Sequence, residues 1–356
     1  MSTGVYSTCA VTDTGAAKCW GDGALGQMAN NTSGEGARNN AQPVLIAGRE
    51  AGVQAISSGR HVCAVTNGGA VKCWGENAQG QLGNNSMVDS LAPVDVVGLG
   101  GAVAVVVADS TSYALAGGAV TCWGYNGAGQ LGNNSTVDSA VPIDVAGLSS
   151  VVAITAAASH ACALTSVGKV KCWGYGMLGL DAPTSRGDFS SLVPAEVKGL
   201  DSVIGLSTGP THSCAILQGG GLKCWGQNEH LQIGVPYDVN HPAVIWPVDV
   251  PGVSQVVAVS VGTTHTCAII AGGVVKCWGG NNMGQVGNGT MPSTVSSPTQ
   301  IHLSAGAISI SAGFEHTCAL LSGGGAACWG GNADGAAGTG DLLTFNYPVP
   351  VAVTGF

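Results

Sequence analysis

Cysteine is the residue type whose spacing carries the most chemistry in this chain. The tripeptide Cys-Trp-Gly occurs seven times, with its Cys at 19, 73, 122, 172, 224, 277 and 328. In six copies a second Cys lies ten residues upstream, at 9, 63, 162, 214, 267 and 318, with a glycine turn between the two. An even separation across such a turn sets two residues opposite each other on one face of a hairpin. Opposed Cβ atoms there lie about 4.5–5.5 Å apart, within disulfide reach where the strands twist or pinch. The spacing predicts six bridges: Cys9–Cys19, Cys63–Cys73, Cys162–Cys172, Cys214–Cys224, Cys267–Cys277 and Cys318–Cys328. Each closes a short loop and should stabilise by roughly 2–3 kcal/mol. Six together call for an oxidising compartment, so the chain is expected to be secreted, periplasmic or at the cell surface.

Two other chemistries compete for these thiols. They could be small, reduced, buried hydrophobes. They could also join the His two residues before the first Cys (His61, His160, His212, His265, His316) in a three-ligand zinc site. However, Ser7 and Thr111 stand at that position in copies one and three, and no Cys-x-x-Cys occurs. We expect no metal there and a structural His that bonds the backbone of a neighbouring turn. Thirteen cysteines leave one over. In the third copy Tyr113 replaces the upstream Cys, so Cys122 is an unpaired thiol, either buried beside the Tyr113 ring or available for an intermolecular bridge.

Other chemistry is thinly represented. Charged residues make up 9% of the chain, against about 25% in ordinary soluble proteins. No nucleophile–base pair and no carboxylate couple stands out. The glycine-rich stretches open no helix, which a phosphate loop requires. A net charge of −9 with 11 basic residues disfavours a nucleic-acid partner. No apolar run reaches the roughly 18–20 residues of a membrane span. No basic-then-apolar leader is visible in Met1-Ser2-Thr3-Gly4, and the repeat begins at Val5, which would suit a processed start.

The elements that must position the cysteines follow from the repeat. Copies recur every 49–54 residues, each with paired Cys, Cys-Trp-Gly, a polar glycine loop such as Asn77-Ala-Gln-Gly-Gln-Leu-Gly83, and a Pro-x-x-Val segment leading into an apolar run such as Val151-Val-Ala-Ile154. A period near 50 residues holding about four short strands is the signature of a propeller blade. The expected fold is all-β: a single seven-bladed β-propeller over residues 1–356, with four-stranded blades. Because the chain starts inside a repeat and stops after Pro348-Val-Pro-Val-Ala-Val-Thr354, the N- and C-terminal segments are expected to share one blade and so close the ring.

The pattern in Gly262-Thr-Thr-His-Thr-Cys-Ala268, Gly273-Val-Val-Lys-Cys-Trp-Gly279 and Asn282-Met-Gly-Gln-Val-Gly287 resembles the regulator of chromosome condensation repeat family, in its disulfide-containing secreted bacterial form. The resemblance covers the whole chain and implies the fold. It does not imply one function, since members include exchange factors, a plant photoreceptor and a β-lactamase inhibitor. The photoreceptor's light-sensing Gly-Trp-x-His stretch here reads Gly209-Pro-Thr-His212 or Gly313-Phe-Glu-His316, which disfavours photoreception. The even repeat length leaves little room for an exchange factor's protruding insertion.

Function in such folds sits where the repeat is broken. Stretches 34–42, 177–192, 229–247 and 341–348 depart from the pattern, and they carry the candidate binding residues Phe189, His230, Tyr237, His241, Trp246, Phe345 and Tyr347. The seven repeat tryptophans are expected to pack between blades. No cofactor is expected, although oxygens in the Asn-Asn-Ser-x-Val-Asp-Ser stretches at 84–90 and 133–139 could hold calcium. These residues point to a non-catalytic extracellular interaction module that binds a protein partner through its loops. A lectin-like propeller binding a glycan is the alternative, and hydrolysis in the central channel a third reading. Oligomeric state is not readable.

Overall fold

The computed structural model describes residues 1–34, 39–48, 51–180 and 190–356. Short strands bounded by glycine turns assemble into seven four-stranded antiparallel sheets, each built from four strands consecutive in sequence. Blade two shows the pattern: an inner strand Val53–Ser58, then His61–Thr66, Val71–Gly75 and the outer strand Ser90–Asp95. The seven-bladed, four-stranded expectation holds.

The expected closure by a shared blade does not hold. The N-terminal strand Ser2–Thr3 pairs with Ser7–Val11 in blade one, and blade seven is complete without it: Ala307–Ala312, His316–Leu321, Ala326–Gly331 and Asn346–Ala352. The C-terminal Pro-x-x-Val segment is the outer strand of its own blade, so the register leaves no gap for the N-terminus to fill.

Contacts between whole blades close the ring instead. An inner strand's edge N–H groups face the channel and need acceptors. A hydroxyl from the preceding blade supplies one: Ser57 Oγ accepts from Val107 N–H (2.9 Å), Thr155 Oγ1 from Thr208 (3.0 Å), Ser207 Oγ from Val261 (3.1 Å) and Ser260 Oγ from Ala312 (2.8 Å). Ser311 Oγ accepts from Thr3 N–H across the seam between blades seven and one (3.0 Å), and Ser2 Oγ from Ser58 N–H (3.0 Å). The seam is therefore built like the other joints. Blade three alone has an apolar residue, Val106, at this position.

The hydrophobic core lies between blades. One cluster joins the Cys63–Cys73 bridge, Val65, Val71 and Leu82 of blade two to Ala114 and Trp123 of blade three. The seven repeat tryptophans are fully buried in these joints, as expected. Each outer strand carries a proline (Pro43, Pro93, Pro142, Pro194, Pro247, Pro298, Pro350), which removes a ladder donor and blunts the exposed sheet edge. Among the described residues no helix is long and apolar enough to cross a membrane.

Candidate functional site: the loop face and axial mouth

All six predicted cysteine pairs are bridged. Their Cα atoms lie 4.0–4.1 Å apart, in direct register across the second and third strands. Tyr113 faces Cys122 in the same register. Cys122 is buried; its thiol donates to Leu131 O (3.1 Å), and burial, helped by the Asp144 charge, pushes its pKa well up. The Tyr113 ring sits over it and its OH donates to Gln130 O (2.7 Å), so the free thiol is a packing element.

The repeat histidines are structural; four of the five bond a hydroxyl of the next blade through Nε2, while His160 Nε2 is buried without a partner among the described residues. His61 Nε2 donates to Ser112 Oγ of the next blade (2.6 Å), and that hydroxyl gives its one proton to Gln81 O (2.9 Å), which fixes the direction of the first bond. His212–Thr266 (2.7 Å), His265–Thr317 (2.8 Å) and His316–Thr8 (3.0 Å) repeat the arrangement. Burial drives these imidazoles far below the usual range, to about 3 for His61, His212 and His265 and about 4 for His160 and His316.

The glycine loop after each Cys-Trp-Gly closes over the next blade's tryptophan. Trp74 Nε1 donates to Gln27 O, Trp123 to Gln81 O and Trp173 to Gln130 O (2.8 Å each), and Trp20 to Ala336 O across the seam (3.0 Å). Trp225 Nε1 and Trp329 Nε1 are buried without a hydrogen-bond partner among the described residues. The oxygens considered for calcium are already engaged. Asn77 Nδ2 donates to Asn84 Oδ1, Ser86 O and Val88 O, Asp89 Oδ1 accepts from Asn77 N–H, and Asn126 does the same in blade three. A cation there would have to displace that amide.

The turns between inner and second strands of all seven blades converge on an axial cavity of about 320 Å³. Small and apolar residues wall most of it, including Val107, Ala157, Pro210 and Val261, with Phe314 and Arg60 at the rim. A notch of about 200 Å³ between blades five, six and seven holds His230, Met283, Phe314 and Glu315. A second, of about 230 Å³ between blades one and two, holds Tyr6, Asp22, Gln27 and Arg60. Tyr6 and Phe314 meet edge to face at 5.8 Å. Arg60 is held by Glu76 through two bonds (2.7 and 3.1 Å). Burial raises the Glu315 carboxyl; burial, then the charges of Glu315, Asp334 and Asp22, raise the Tyr6 phenol.

Of the candidate binding residues, His230 alone lines one of these cavities. Tyr237 is exposed on the loop and His241 pairs with Asp238 (2.8 Å) beside it. Trp246 is exposed on the outer strand of blade five, away from the mouth. Phe345 projects into solvent at 79% exposure, whereas the Tyr347 hydroxyl is tied to Thr339 and Asp341 within its own blade. Phe189 lies outside the described residues. Tyr6, Asp22, Arg60, Phe314 and Glu315 were not anticipated. Their signal was available, because most sit in the variable positions before the conserved His or Ser of a repeat whose glycine turn faces the axis.

A ring of disulfide-bridged blades around a loop-face cavity defines the class, a seven-bladed propeller whose surface of interest is its axial mouth. The regulator of chromosome condensation (RCC1) repeat pattern matches residues 69–115, 117–164, 220–269 and 273–320, and a second RCC1 repeat pattern matches 54–81, 203–232, 256–285 and 307–336. The chain belongs to the RCC1 repeat family. It is similar to the ultraviolet-B receptor UVR8 of Arabidopsis thaliana, 28% identical over 295 residues, which are 81% of this chain and 55% of that protein. It is also similar to the mouse secretion-regulating guanine nucleotide exchange factor, 28% identical over 222 residues, 54% of this chain and 46% of that protein. The chain thus spans about half the length of these relatives. Yeast RCC1 (Prp20) bound to Kap60 superposes with a TM-score of 0.83 at 22% identity, covering 97% of this chain and 85% of that one. Saccharomyces cerevisiae Prp20p, described with its binding to Gsp1p and histones, gives 0.82 at 22%, covering 98% and 87%. These structures share the fold.

Proposed function

We propose that this chain is a non-catalytic interaction module, free of cofactor, that works in an oxidising extracellular setting and binds a protein partner across the loop face around the axial mouth. The observation that carries this reading is the merging of three cavities into one depression whose walls come from every blade. Six bridges and a charge-poor surface suit the setting. Solved relatives described in complex with Kap60, or as binding Gsp1p and histones, favour protein partners as the class. The test is affinity capture from the source's extracellular fraction with the chain and with Pro210→Trp, which fills the mouth from an exposed position. A protein retained by the first and lost by the second supports the reading. Saturable sugar binding on a glycan array with no such protein overturns it in favour of the lectin alternative, to which the exposed rings of Trp246 and Tyr237 lend weight.

A further inference from the structure

The three cavities share residues. Thr263 and Phe314 line both the axial mouth and the blade five–seven notch, and Val5, Gly59 and Arg60 line both the mouth and the blade one–two notch. They form one groove, apolar across the mouth at Val107, Ala157 and Val261, with an aromatic ring beside a carboxylate in each of two notches that adjoin where blades seven and one meet. Phe314 and Glu315 stand in one notch, Tyr6 and Asp22 in the other, and the two rings touch. Arg60 is the one arginine or lysine lining the groove among the described residues, and Glu76 holds it in a two-bond pair that cancels its charge. Asp22, Asp109 and Glu315 enter no salt bridge among the described residues. The groove is therefore negative at its aromatic pair, in a chain of net charge −9. Ring faces attract cations through their quadrupole, and more strongly where water is partly excluded; a desolvated carboxylate gains from a cation that arrives with the ligand.

We propose that this groove takes a linear peptide segment of a partner by a basic side chain. The cationic head lies against the Tyr6–Phe314 pair between Glu315 and Asp22, and an adjoining apolar side chain enters the axial mouth. The proposal names the partner chemistry for the protein-binding reading above and rests on it. An extended segment suits a groove that crosses the axis, because the outer strands that could otherwise have added a peptide strand are interrupted by proline.

The test is selection from a display library of random linear peptides on the full oxidised chain, followed by fluorescence polarisation with the selected peptides, labelled. The selected sequences should share a Lys or Arg next to an apolar residue. They should bind at least tenfold more weakly to Glu315→Gln and to Phe314→Ala, each checked for an unchanged melting temperature, and equally well to Asp95→Asn, which removes a carboxylate from an outer strand. Equal weakening by Asp95→Asn would reveal unspecific charge attraction and overturn the proposal, as would selection of nothing. Selected peptides that lack a basic residue yet lose binding to Pro210→Trp would overturn the basic-side-chain assignment and leave the protein-binding reading standing.

Discussion

The five repeat histidines are buried neutral, and their depressed pKa values translate into a pH dependence with a definite sign. Unfolded, each binds a proton near 6.5; folded, not until about 3 to 4. Between those values the unfolded chain holds more protons, so this contribution to stability is fully present above pH 6.5 and is lost as pH falls through 6.5 toward 4. Denaturant midpoints measured from pH 7.5 down to 4 should decline across that window. A flat profile would mean that the imidazoles are not held neutral. Cys122 gives a second residue-scale expectation. Its thiol is buried with its pKa raised, so a thiol reagent should label nothing in the native protein and one group per chain after denaturation without reductant. Labelling of several cysteines would break the assignment of the bridges.

At the scale of the element, the repeat motif spans a joint: the Gly-Gln-Leu-Gly loop of one blade is a lid on the tryptophan of the next. Gly83 has φ +66°, and a Cβ there would stand 2.7 Å from Trp123 Nε1. Gly83→Ala should therefore cost about 2 kcal/mol or more in urea unfolding, whereas a change at Gly98, where a Cβ meets nothing, should cost less. Equal losses at both positions would refute the lid. The sequence showed these elements because cysteine spacing and hairpin register both depend on a period of two, which is local. It hid which partner each His and each loop meets, since His61–Ser112 joins residues 51 apart and the link exists only once blades stand side by side. The groove was hidden for the same reason. Tyr6, Arg60, Phe314 and Glu315 occupy variable positions of separate repeats, and only the ring brings them to one rim, while the aromatic residues of the irregular stretches, such as Trp246 and Phe345, point elsewhere.

The whole molecule is a ring whose seam resembles its other joints, which corrects the expectation of a blade shared between the two ends. Ser311→Ala at the seam and Ser57→Ala between blades two and three each strip an inner-strand N–H of its acceptor. Each should cost about 1–3 kcal/mol, with similar values for the pair. A far larger loss at the seam would show that closure there carries special weight. The seven-fold count was legible because the repeat is in phase throughout; the closure was not, because sequence order alone does not say whether a terminal strand pairs forward or back.

The missing bridge of blade three acquires a mechanical meaning when the chain is pulled from its two ends. In six blades the cysteines sit ten residues apart, so on unravelling the bridge withholds a hairpin loop worth about 35 Å of extended chain. Blade three has no such clasp and would pay out its full length, so under tension one step in seven should be longer than each of the others.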